Sequence, residues 1–432
     1  MNGIITIVFL FFLAPALAAT PLHIDRWQTT QGTPVVFYQA MDVPMLDINI
    51  AFHAGSAYDG PQFGLSALTV RLLNQGNAGL DASAIADQFA DIGAQYSGNS
   101  TRDSAVLSLK TLSEPLARFH ALNTLIRVMS HPDFPEAAFA REKNQQLLAI
   151  QQVQESPDAV ADETFYQALY QEHPYAHPID GKEAHVNALH VDDVQRFYKQ
   201  FFVSRNAVIV LVGAIDKPTA MQIANDLMKD LPLGHKALPT RQAKALPDEM
   251  NIEVPFASSQ AVLRLGQLGV DHHDPFYFPL LVGNYTLGGG SLVSRLAYEL
   301  REKRGLTYGA YSQFIPMPGL GPFMISFSTK QTQARNAQVI TRDTLLHFIK
   351  SGPTADELVA AKQYLTGSFP LSLASNQNMA NTLLRMAFYA LPDDYLDTYV
   401  EHIRAVRIED IQHAFQQRLN PKHLLDIHVG NT

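Results

Sequence analysis

The chain has 432 residues, 47% of them hydrophobic and 17% charged, with a formal net charge of −9 and no cysteine. That length supports two or more domains, each able to bury its own core without disulfide staples. The acidic balance argues against nucleic acid and mildly favours cationic partners, and the lack of cysteine excludes a disulfide framework and a lipidated N-terminal Cys.

Residues 4–18 form an uncharged apolar run that ends in Ala16-Leu17-Ala18, a small-x-small cleavage pattern. This predicts a signal peptide over residues 1–18, cleaved after Ala18 or Ala19, and export to a bacterial periplasm. An uncleaved anchor is the alternative, although the run is short for a membrane span. Strands are predicted over 34–42 and 46–54. In the second, Leu46, Ile48, Ile50 and Phe52 alternate with Asp47, Asn49, Ala51 and His53. A helix follows at 64–74 and another at 82–92. Ser113 is the expected N-cap of a helix with Pro115 in its first turn. A further helix spans about 136–153, and Glu155-Ser156-Pro157 follows it.

His173 and His177 are four apart, a spacing that would suit a metal on a helix. Pro174 and Pro178 break any helix there, so the two imidazoles are expected in a loop and on different faces. A helix at 191–202, a strand at 206–213 and a helix at 217–229 complete the first half. Residues 231–250, with Pro232, Gly234, Pro239 and Pro247, read as a linker. The second half repeats the first. Val191-Asp-Asp-Val-Gln-Arg-Phe-Tyr leading to Val212-Gly213 returns as Ile408-Glu-Asp-Ile-Gln-His-Ala-Phe leading to Val429-Gly430. Asp193, Gln195 and Gln200 recur without a gap as Asp410, Gln412 and Gln417. A repeat of this length signals duplicated α+β domains. Strands at 308–316 and 321–329 and helices near 332–349, 354–367 and 376–391 fill the second copy. The glycines at 288–290 precede a helix expected from Ser291, without the Lys-Ser/Thr of a phosphate loop.

Two stretches resemble the pitrilysin/insulinase family of inverted zincins. Residues 64–72, Gly-Leu-Ser-Ala-Leu-Thr-Val-Arg-Leu, align with the family's Gly-Leu-Ala-His-Phe-Leu-Glu-His-Met. In that motif two His four apart share one helix face and one zinc, and the Glu is the general base. Here those positions hold Ala67, Val70 and Arg71. Ala67 and Val70 offer no lone pair, and Arg71 is a permanent cation. Aligning on Glu155-Ser156-Pro157 puts Ala149 at the third ligand, while Glu142 matches an auxiliary Glu. All three ligands and the base are thus replaced in register. Residues 287–308 resemble the family's C-terminal signature and keep its Arg/Tyr pair as Arg301 and Tyr308. The resemblance runs from about residue 28 to the end.

The resemblance implies two homologous layered α+β domains forming half of a clamshell-like peptidase: residues 19–230 with a degenerate zinc site, a linker at 231–250, and residues 251–432 with the Arg/Tyr pair. It further implies a non-catalytic subunit, inactive alone and holding no metal itself. Zinc is expected in a catalytic partner subunit, and an unfolded peptide is the shared substrate. Arg301 and Tyr308 would then serve the partner's active site by stabilising the oxyanion. Two other readings stay open: a structural or peptide-binding protein with no role in catalysis, and a hydrolase with a relocated metal on His173, His177 or His185.

Overall fold

The computed structural model describes residues 22–431. The expected leader at residues 1–18 lies outside the described residues. No helix among the described residues is long and apolar enough to cross a membrane.

The strands are β1 (Ile24–Gln28), β2 (Pro34–Gln39), β3 (Met45–Phe52), the two-residue pieces β4 (Gly76–Asn77) and β5 (Leu80–Asp81), β6 (Gln95–Ser100), β7 (Ala105–Leu112), β8 (Ala207–Gly213), β9 (Met250–Pro255), β10 (Gln260–Leu268), β11 (Ala310–Phe314), β12 (Pro322–Lys330) and β13 (Leu425–Gly430). The first half carries helices α1 (Leu65–Leu72), α2 (Ala82–Ala90), α3 (Pro115–Ser130), α4 (Glu136–Gln154), α5 (Pro157–Tyr170), α6 (Glu183–Asn187), α7 (Val191–Phe201) and α8 (Lys217–Met228). The second carries α9 (Tyr277–Asn284), α10 (Arg295–Ala297), α11 (Ala334–Ser351), α12 (Ala355–Ser368), α13 (Asn376–Phe388), α14 (Tyr395–Ala405) and α15 (Ile408–Arg418).

The strands form two large sheets whose topologies match. From one edge the first runs β6-β7-β3-β8-β2, with β1 added beyond it, and the second runs β11-β12-β10-β13-β9. In each, three antiparallel pairings are followed by one parallel pairing, β8 with β2 and β13 with β9. The repeat seen in sequence is therefore a repeated fold, and its shared acids have one job. Asp193 accepts the backbone N–H of His190 at 2.8 Å and Asp410 that of Arg407 at 2.9 Å, fixing the starts of α7 and α15. Residues 232–249 between the halves contain no helix or strand.

The two halves trade helices. From the first half, α5 packs Phe165, Leu169 and Tyr170 against Leu268, Ile427 and Val429 of the second sheet. From the second half, α13 packs Met379, Leu383 and Met386 against Val36, Val210 and Val212 of the first sheet. Each fully buried side chain of this size contributes about 1.5–3 kcal/mol, so the exchange ties the halves together. The exchange also explains a departure from the alternation in β3. Asp47 and Asn49 are expected to face water, yet both are buried. Helix α13 covers that face, and Asn49 donates to Asn381 Oδ1 at 3.1 Å. Asp47 is left with an unpaired oxygen, and burial raises its carboxyl above the usual range. At α3 the cap is Glu114, which accepts from Ala117 N at 2.9 Å, rather than the expected Ser113.

Candidate functional site

Two places carry the residues singled out in sequence, one in each half. The first is built by α1 and α4. Gly64 adopts φ 92° at the start of α1, where Asp59 accepts from Gly64 N at 2.7 Å and Ser66 N at 2.8 Å. Burial pushes the Asp59 carboxyl up to about 8, against the opposing pull of these backbone N–H groups. Gln146 of α4 donates to Gly64 O at 3.0 Å and Asp180 O at 2.8 Å, docking α4 on α1. Ser66 Oγ lies 2.7 Å from Ser100 Oγ, which ties α1 to the edge strand β6.

Packing and ion pairing occupy the four substituted positions. Ala67 and Val70 are buried, and Val70, 4% exposed, belongs to the first core. A Cβ built on Gly98 of β6 would lie 2.9 Å from Val70 Cγ1, so only glycine lets the strand approach this closely. Arg71 Nη2 is 3.0 Å from Asp180 Oδ1, both side chains about 40% exposed. Ala149 is half-buried on the neighbouring α4, and Glu142 is buried beside Arg141 Nε at 3.4 Å. The structure thus sets all four positions on adjacent helices, as the motif requires, but the donors do not fit a zinc ion. Two are aliphatic, one is methyl-sized on the facing helix, and one is a guanidinium already paired. No group of three or more His, Cys, Asp or Glu among the described residues is placed to hold a metal.

The histidines weighed as replacement ligands have other work. His173 Nδ1 accepts from Tyr175 N at 3.1 Å, and its Nε2 meets Arg241 O at 2.6 Å. Phe63 stacks on His177 at 4.2 Å and on His185 at 4.3 Å. Burial lowers His173 and His177 below the usual imidazole range.

The second place lies in the other half, where the expected helix from Ser291 is broken up. A π turn over Tyr285–Gly289 leads to a 3₁₀ turn at Ser291–Val293, then α10, then a second π turn over Tyr298–Glu302. Ser294 caps α10 by accepting from Ala297 N at 3.3 Å. Gly288 sits so close to β11 that a Cβ would lie 2.5 Å from Ser312 N. Most cations here are committed. Arg295 is bidentate to Glu357 at 2.7 and 2.6 Å, while Lys303 and Arg304 both pair with Glu299. Arg301 is exposed and makes no side-chain hydrogen bond or ion pair among the described residues. Tyr308 is 89% exposed, on the loop that feeds β11. Val293 (75% exposed), Tyr298 and Tyr311 of the same chain segment are exposed as well, a feature that the sequence reading missed. Its only sequence signal is the run of Leu, Val and Tyr around a glycine-rich turn.

The insulinase (peptidase family M16) description matches residues 35–183, and the peptidase M16 inactive domain matches residues 188–365. A crystal structure described as a peptidase M16 inactive domain from Pseudomonas fluorescens superposes with a TM-score of 0.92 at 36% identity, covering 95% of this chain and 98% of that one. The chain belongs to the M16 family. It is similar also to the non-peptidase homolog YmxG of Helicobacter pylori, 26% identical over 391 residues, 88% of this chain and 87% of that protein. The uncharacterized zinc protease YmxG of Bacillus subtilis is 24% identical over 413 residues, 93% of this chain and 97% of that protein. Within the M16 family this chain is an inactive-type homologue, and its two layered halves correspond to half of the clamshell.

Proposed function

We propose that the chain is the non-catalytic subunit of an exported, periplasmic zinc metallopeptidase. It pairs with a catalytic M16 subunit that holds the zinc, helps to bind unfolded peptide, and supplies Arg301 and Tyr308 to the partner's active site. The observation that carries this reading is the state of that pair. A guanidinium and a phenol, both strong donors, stand in solvent without a side-chain partner among the described residues. Donors held free in this way suit a negative oxygen that develops in a neighbouring subunit's transition state. Strand β6, at the free edge of the first sheet, offers backbone groups for an added peptide strand.

The test mixes this chain with the catalytic M16 subunit encoded nearest to it and measures peptidase activity and zinc. Activity only in the mixture, with zinc near one per pair, is expected. Arg301→Ala is expected to lower kcat about 100-fold while the pair still forms. The exposed surface around Val293, Tyr298 and Tyr311 also supports a second reading, an assembly protein without a catalytic role. Unchanged activity in Arg301→Ala would favour that second reading. Zinc and activity in this chain alone would sink both.

A further inference from the structure

A cavity of about 430 Å³ lies where the two halves meet under the linker. The first half contributes His53 and Tyr58, the linker Lys236 and Thr240, and the second half Asp271 and the loop ending α13. Domain junctions are common places for small-molecule sites, and this volume is at the lower end of their range.

The wall between the halves is aromatic and ordered. His53 stacks on Phe388 at 4.1 Å, and His272 stacks on Tyr389 at 3.7 Å. The two adjacent rings thus present one imidazole from each half. Burial drops both imidazoles to about 4, so at neutral pH they are uncharged parts of the aromatic wall, and Nε2 of each is buried without a hydrogen-bond partner among the described residues. The Tyr389 hydroxyl donates to Asp103 Oδ2 at 3.2 Å, and the Tyr175 hydroxyl also donates to Asp103, so this acid is engaged at the bottom of the cavity.

Two charges remain for a ligand. Lys236 is exposed and makes no ion pair or side-chain hydrogen bond among the described residues. It lines the cavity with His53, and its charge adds to the burial that lowers that imidazole. Asp271 lines the same cavity and is the chain neighbour of His272. Its Oδ1 accepts from His273 N at 2.8 Å, and its Oδ2 has no partner among the described residues. A cation from the linker and an anion from the second half therefore line one cavity together with its aromatic wall. A ligand complementary to this carries opposite charges at its two ends and an apolar body between them. We propose that the cavity binds a short apolar peptide through its free ends, the terminal carboxylate on Lys236 and the terminal ammonium on Asp271, with its side chains against Phe388 and Tyr389. This differs in kind from strand addition at β6, which uses mid-chain backbone and ignores the ends. Occupancy bridges the linker to both halves and so raises the stability of the whole chain.

The experiment uses this chain alone, so its failure does not bear on pairing with a catalytic subunit. The dipeptide Leu-Phe is titrated calorimetrically, alongside the same dipeptide acetylated and amidated at its ends. Saturable binding of one free dipeptide per chain is expected, with a raised melting temperature and no binding of the capped form. Lys236→Met and Asp271→Asn are each expected to weaken binding at least about tenfold. Both side chains reach solvent, and Asn keeps the acceptor for His273 N, so unchanged unliganded melting temperatures will certify folding. No saturation up to about 10 mM dipeptide would overturn the proposal. Equal binding of the capped dipeptide, or variants that bind like the parent chain, would overturn it as well.

Discussion

Arg264 offers a quantitative test of how the two halves are held. It sits on β10 of the second sheet, 5% exposed, and reaches into α5 of the first half. Its Nη2 lies 2.9 Å from Asp158 Oδ1 and its Nε 2.7 Å from Asp162 Oδ1. Another guanidinium N–H donates to Leu263 O at 3.1 Å. The two sides of the bridge differ in shelter: the Asp158 and Asp162 side chains are 66% and 51% exposed. Removing the acids leaves a buried guanidinium with carbonyl partners alone, which costs about 3–5 kcal/mol. Removing the cation leaves two carboxylates that rehydrate where they stand. Arg264→Met fills the same space with apolar atoms, so it should cost only about 1–2 kcal/mol. The double variant Asp158→Ala/Asp162→Ala should therefore be the less stable of the two. The triple variant should return close to Arg264→Met alone. Urea unfolding followed by circular dichroism measures all four proteins, with a constant slope required before midpoints are compared. If the double variant is no less stable than Arg264→Met, the guanidinium is not sheltered and this account of the joint fails.

The buried positions on α1 make a prediction of their own. Val70→Glu puts a carboxylate into the first core at a position 4% exposed and should cost about 2–4 kcal/mol in urea unfolding; a neutral effect would mean that Val70 still faces an open cleft. Gly98→Val crowds the same contact, with its Cβ 2.9 Å from Val70 Cγ1, and should cost about 1–3 kcal/mol. Val70→Ala should relieve much of that cost, and additive effects in the double variant would remove the contact from the argument. The imidazoles at the joint predict a pH dependence. His53 and His272 take a proton near 6.5 when unfolded but only at about 4 when folded. Between those values the unfolded chain binds more protons, so their contribution is fully present above about pH 6.5 and is lost as pH falls toward about 4. Melting temperatures measured from pH 7 downward should fall less steeply in His53→Leu/His272→Leu than in the parent chain; parallel curves would refute the assignment.

Local patterns in the sequence were sufficient for much of the fold. The strand at Met45–Phe52, the helix begun by Pro115, and the repeat from Val191 to Gly213 and Ile408 to Gly430 all follow from periodicity, caps and proline, whereas α5 (Pro157–Tyr170) was not read from the sequence. The misses arose where distant segments decide the outcome. Asp47 and Asn49 read as a solvent face because nothing nearby in sequence announces that α13, more than 300 residues later, covers them. Ser113 is the better cap by residue type, yet Glu114 takes the role because Ser113 N is held by Pro44 O at 3.0 Å. The π turn over Tyr285–Gly289 carries Gly288 close against β11, again a long-range contact. At the candidate site only the residue types were legible in sequence. That Val70 seals against a glycine on β6, and that Arg71 finds Asp180, needed coordinates.

The two places differ in a way that stability alone does not explain. In the first half, the three positions on α1 have been absorbed by the fold: Ala67 and Val70 pack, and Arg71 is paired. A zinc helix must keep polar groups aimed at an open cleft, and aliphatic replacements remove that cost. If the second half had followed the same course, Arg301 and Tyr308 would also be paired or buried. Instead Tyr308 stands 89% exposed while Arg295, Lys303 and Arg304 around it all have acids. An exposed tyrosine and an unpaired arginine add nothing to this chain's stability, so Arg301→Ala and Tyr308→Phe should leave its unfolding within about 0.5 kcal/mol of the parent. A larger loss would mean that the pair is structural here. Unchanged stability together with lost activity in the mixed subunits would place its purpose outside this chain.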